Sequence, residues 1–111
     1  MPFEPAPKVE TPARTGRFQH LADAMLRGCA VSRPYHRLTD HEGGLCALGA
    51  LFVGLRGYEP RALSFLLVSD DWCAISEMRN AYMDRYGSII AQDNDSGAFT
   101  REQIAARIAA L

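Results

Sequence analysis

The chain has 111 residues, 48% of them hydrophobic and 23% charged, with a formal net charge of −1. That length suits one domain better than two, and burying about two-thirds of the surface that the unfolded chain exposes makes one real core feasible. The near-neutral balance argues against a partner held mainly through phosphate charge, because non-specific nucleic-acid affinity rests on an excess of Lys and Arg.

Residues 1–15 hold four of the six prolines (Pro2, Pro5, Pro7 and Pro12) and few apolar side chains. Such a composition buries too little to offset its ordering entropy, so these residues read as a flexible tail and 16–111 as one helical domain. No apolar stretch of signal-peptide type follows Met1, which points to the cytoplasm. Cys29, Cys46 and Cys73 are widely spaced, with no CxxC, and stand in apolar surroundings. They are expected to be reduced, buried thiols.

From Gly16 to Cys29, residues Phe18, Leu21, Ala22, Met25, Leu26 and Cys29 keep the i, i+3/i+4 rhythm of an amphipathic helix. Thr15 is its expected N-cap and Gly28 lies near its expected end. An irregular connection follows through Pro34, Thr39–Glu42 and the Gly43–Gly44 pair, with a short extended piece expected at Tyr35–Leu38. The run GGLCALGALFVGLRG (Gly43–Gly57) is next, and five of its fifteen residues are glycine. Leu45, Leu48, Leu51, Phe52 and Leu55 give it a broad apolar face. Cys46, Ala50 and Gly54 stand four apart on another face, a spacing that admits a neighbouring backbone. Gly57 sits where a helix-ending glycine belongs, with Pro60 beyond it.

Pro60 suits the first position of a helix over PRALSFLLVS, although a short buried strand accounts for so brief an apolar run equally well, so residues 58–69 stay open between the two. Trp72, Ile75, Met78, Tyr82 and Tyr86 keep helical spacing over Asp70–Tyr86, with Ser69 as cap and Gly87 as stop. In AFTREQIAARIAAL, Thr100 and Gln103 match a capping box, and Phe99 and Ile104 a hydrophobic staple; Ile104, Ile108 and Leu111 form the buried stripe. The expected fold class is therefore mostly α, a bundle of four to five helices with one short extended segment at most.

Several chemical readings can be weighed on the same residues. Leu45–Leu55 is eleven residues, against the about 20 that a membrane-spanning helix needs, so no membrane role is expected. The run also lacks the G-K-[ST] ending of a phosphate loop. Gly43 and Gly44 at a helix start, near Arg33, His36 and Arg37, sketch a weaker anion site. Cys46 at a helix start, preceded by His36 and His41, sketches a thiol nucleophile with a histidine base. The His36, His41, Cys46 spacing matches no common zinc site and lacks a fourth ligand, so no metal or other cofactor is expected. QDNDSGAFTREQ fails as a calcium loop: with Gly97 at the sixth position, the first, third, fifth and twelfth fall on Gln92, Asn94, Ser96 and Gln103, none of them a carboxylate. TREQIAARIAAL resembles the first helix of a helix-turn-helix, but no recognition helix follows it in this sequence.

Three pieces taken together resemble a loose group of short uncharacterised bacterial and phage proteins: CALGAL (Cys46–Leu51), Ile89 and Ile90 with Asn94 and Asp95, and TREQIA (Thr100–Ala105). In that group a glycine-led CALGA helix precedes an I-x-x-x-N-D element and a T/S-R-E-x-I-A helix. The group's residue before the Asn is apolar, whereas here it is Asp93. The resemblance implies a shared helical fold and carries no activity with it. Asn94 and Asp95 are expected to act locally, in an Asx-turn leading into the last helix; the functional counterpart is a polar site facing the CALGA helix.

The functional expectation is a small interaction protein without chemistry of its own, an adaptor or inhibitor with a protein partner. Its contacts are sought among Arg33, His36, Arg37, His41, Gly43, Gly44, Cys46, Asn94 and Asp95. The alternative is a small thiol- or ligand-dependent enzyme using Cys46, His36 and His41. A third reading is a homodimer packed on the Cys46/Ala50/Gly54 stripe, which requires a dimeric mass in solution.

Overall fold

Apolar residues recurring every three or four positions dominate this chain, and helices are the outcome. The computed structural model describes residues 16–36, 43–58 and 71–111. Among them run five helices, α1 (Gln19–Ala30), α2 (Ala47–Arg56), α3 (Trp72–Tyr86), α4 (Ile90–Asp95) and α5 (Arg101–Ala109). One parallel pair of two-residue strands, β1 (Arg33–Pro34) and β2 (Gly44–Leu45), pairs Arg33 with Gly44 and Pro34 with Leu45. The protein is mostly α. No helix among the described residues is long and apolar enough to cross a membrane.

α1 starts later and ends later than the spacing predicts. The chain first makes a turn in which the Gln19 amide donates to the Gly16 carbonyl at 3.0 Å, and Phe18 precedes the helix without a side-chain cap. Thr15, the expected cap, lies outside the described residues. Gly28 lies near the helix end, as expected, and is buried; its reason for being glycine is packing. A Cβ on Gly28 would overlap the carbonyl of Ala50, and one on Gly54 would overlap the carbonyl of Ala24. Two small pairs four residues apart, Ala24/Gly28 on α1 and Ala50/Gly54 on α2, thus let the helices touch backbone to backbone. Arg27 closes the edge of the crossing by donating to the Gly54 carbonyl through Nε at 3.4 Å and Nη2 at 3.3 Å.

The small-residue stripe read from the sequence is therefore real, and its occupant is α1 of the same chain. A homodimer built on that stripe loses its surface. Gly57 ends α2 in the left-handed conformation, at φ 87°, as its position in the sequence suggests. The extended piece is at Arg33–Pro34 and not at the expected Tyr35–Leu38, of which Tyr35 and His36 are not in a strand and residues 37–38 lie outside the described residues. Pro34 contributes no N–H, so the pairing is carried by neighbours such as the Arg33 amide, which donates to the Gly43 carbonyl at 2.7 Å.

α3 begins at Trp72, with Asp71 before it and no side-chain cap; Ser69 and Asp70 lie outside the described residues, as does the PRALSFLLVS segment. Ile75, Met78 and Tyr82 are its fully buried stripe. Ile90–Asp95, expected as a loop with an Asx-turn, is a short helix instead. It buries Ile90 and Asp93, three residues apart and so on one face. α5 matches its expected start: the Gln103 amide donates to Thr100 Oγ1 at 3.0 Å, and the Thr100 amide donates to Gln103 Oε1 at 2.8 Å. α1 packs against both α2 and α5, and buried side chains from all five helices meet in one core.

Candidate functional site

At the end of α1 the chain must turn into β1, leaving the last helical carbonyls without partners in the helix. The Val31 and Ser32 amides take up some of them, and Arg101, the first residue of α5, braces the corner that follows. Its Nη1 donates to Ser32 Oγ at 2.7 Å and to the Leu45 carbonyl at 3.1 Å. Its Nη2 donates to the Ser32 carbonyl at 2.9 Å and, more weakly, to the Cys29 carbonyl at 3.5 Å. Ser32 Oγ in turn donates to the Gly28 carbonyl at 2.6 Å. Arg101 is only 4% exposed, and its charge sits at the negative end of the α1 dipole, where a cation is favoured. One side chain therefore joins α1, the strand pair and α5.

Asn94 does the matching task at the start of α2. Its Oδ1 accepts from the Ala47 amide at 3.1 Å, and its Nδ2 donates to the Tyr35 carbonyl at 2.9 Å and to Asp95 Oδ1 at 3.2 Å. The expected local Asx-turn is corrected by this geometry, because the Asn94 amide bridges segments 47 and 59 residues away in sequence. It faces the CALGA helix, as the alternative reading required, and what it does there is hold backbone.

Cys46 caps α2, its Sγ accepting from the Gly49 amide at 3.4 Å. A helix N-terminus lowers a thiol's pKa, whereas burial raises it. Here burial is the larger effect and pushes the Cys46 thiol up; the Gly49 and Leu48 amides pull it down less strongly, and Asp95 adds to the rise. The nucleophile reading thus loses its thiolate at neutral pH. The anion reading weakens as well. Gly44 is a buried strand residue, and the Ala47, Gly49 and Ala50 amides of the helix start are taken by Asn94, Cys46 Sγ and the Cys46 carbonyl.

Outside this knot lies a cleft of about 380 Å³, lined by Pro34, Tyr35, Phe99 and Arg101 together with His36, Asn94, Thr100 and Glu102. His36 is exposed and stacks against Tyr35, with ring centroids 4.6 Å apart and planes at 42°. Glu102 is also exposed. Behind Phe99, Arg107 lies 4.1 Å from that ring's centroid and 3.8 Å from that of Tyr86. Arg107 Nε donates to the Tyr82 hydroxyl at 3.0 Å, and that hydroxyl donates to Asp93 Oδ2 at 2.5 Å. An Arg107–Asp93 ion pair at 3.7 Å closes the triangle. Asp93 is buried, and burial followed by its hydrogen bond pushes the Tyr82 phenol up to about 12.

Of the residues singled out in the sequence, Arg33, His36, Gly43, Gly44, Cys46, Asn94 and Asp95 are drawn into one neighbourhood around the strand pair and the start of α2. Arg37 and His41 lie outside the described residues. Comparison with protein-family models, characterised proteins and solved structures finds no match. Among the described residues, no three His, Cys, Asp or Glu side chains gather as a metal-holding group. Cys29 is buried, and burial above all pushes its thiol up to about 11. Cys73 is exposed, against the expectation that all three thiols are buried.

Arg101, Asp93, Tyr82 and Arg107 were not marked as polar sites by sequence reasoning. Two of them carry a signal in the sequence. Arg101 is in phase with Ile104, Ala105 and Ile108, and Asp93 with Ile90, so each charge falls on the buried face of its own helix.

Proposed function

We propose that the chain is a small non-enzymatic interaction module, an adaptor or inhibitor of a larger bacterial or mobile-element protein machine, acting in the cytoplasm. It takes a side chain of a protein partner into the cleft between Tyr35 and Phe99. The observation that carries this reading is how the cleft is backed. Arg101 and Asn94 direct five of their seven hydrogen bonds to main-chain groups, which fixes the walls instead of presenting groups for reaction. A preorganised depression lined by both aromatic and polar side chains is what a partner's anchoring residue needs, because little ordering cost is left for the binding step. The likeness of CALGAL, Ile89–Asp95 and TREQIA to short bacterial and phage proteins supports the biological setting.

A photo-crosslinking amino acid placed at His36, exposed at the cleft, tests this against one placed at Glu77, on the exposed face of α3. In the source cells the proposal expects one discrete protein adduct from position 36 and none from position 77. Adducts of equal yield and pattern from both positions, or none from either, would count against a docking cleft.

A further inference from the structure

We draw no further inference here: the strongest candidate, an anion seat where the first turn of α5 meets the cleft above Arg101, carries nothing because Arg101 spends its Nη donors on Ser32, Leu45 and Cys29 and its remaining Nε is sealed from solvent, leaving a helix N-terminus with no second feature that points to a ligand.

Discussion

The two sides of α1 are held by opposite means. Toward α2 the contact is dry and close, glycine against backbone, with Gly28 over Ala50 and Gly54 over Ala24. Toward α5, and onward to α3 and α4, polar groups are buried in number: Arg101 at the end of α1, and the Tyr82–Asp93–Arg107 triangle behind Phe99. The close crossing depends chiefly on shape, with Arg27 bonded to the Gly54 carbonyl at its edge, and leaves no room for a Cβ at Gly28 or Gly54. The polar side depends on complete pairing and tolerates no removed atom. A buried donor or acceptor stripped of its partner costs about 1–3 kcal/mol, more when charged.

That contrast can be broken first at the crossing. Gly28→Val and Gly54→Val each place carbon where an alanine carbonyl stands, and overpacking of this kind costs about 3 kcal/mol. Chemical denaturation of each variant checks it. An unchanged midpoint would show that the helices do not meet as closely as described. The same substitution at Gly57, which has open space around it but φ 87°, should cost only about 1–2 kcal/mol, through backbone strain. The difference between the two sites separates packing from conformation.

On the polar side, Asp93→Ala should cost about 2 kcal/mol, below the 3–5 of a fully buried pair because Arg107 is partly exposed and keeps its aromatic neighbours. A double-mutant cycle with Tyr82→Phe should show the two losses to be non-additive, since both variants break one hydrogen bond. Strict additivity would mean that the triangle does not act as a unit. Asn94→Ala should cost about 1–2 kcal/mol, by freeing the Ala47 amide and the Tyr35 carbonyl. In amide hydrogen exchange, the opening should appear at the start of α2.

The smallest effect expected is with pH. The Tyr82 phenol stands at about 12 in the folded chain, against about 10 unfolded. Its contribution is complete below pH ~10 and is lost as pH rises toward 12, because the unfolded chain releases the proton first. Between pH 9 and 11 the urea midpoint of the parent should therefore fall further than that of Tyr82→Phe. Parallel curves would remove the buried hydroxyl from the account.

The same division governs how much of the molecule is legible in its sequence. Local rules suffice for the α5 capping box at Thr100 and Gln103, for the glycine stops at Gly57 and Gly87, and for the small stripe on α2. Each is set by neighbours within four residues or by the spacing of small side chains. The stripe does not say which backbone fills it. Gly28 is placed correctly near the end of α1, but only the facing Ala50 reveals why it is glycine.

Candidate-site residues are legible as a neighbourhood and illegible in role. Asn94 draws attention because loop Asx residues bond nearby backbone, yet its partners, Ala47 and Tyr35, come from distant segments that only the fold brings in. Arg101 passes as the ordinary charged first residue of a helix. Its burial depends on where α1 ends, which no pattern around position 101 encodes. Cys46 is placed correctly at a helix start, but the sign of its pKa shift is decided by burial, a tertiary quantity.

In the proposed reading Asn94 and Arg101 back a docking cleft, and Cys46 beside them caps α2 without acting as a nucleophile. Residue-resolved alkylation of the three thiols with iodoacetamide at pH 7 tests it most directly. Exposed Cys73 should react first, half-buried Cys46 more slowly because its thiol pKa is raised, and buried Cys29 only as fast as the protein opens, with protection lost in denaturant. Modification of Cys46 in the folded protein faster than Cys73 would overturn this reading, and would identify an activated thiolate where this structure has a half-buried helix cap.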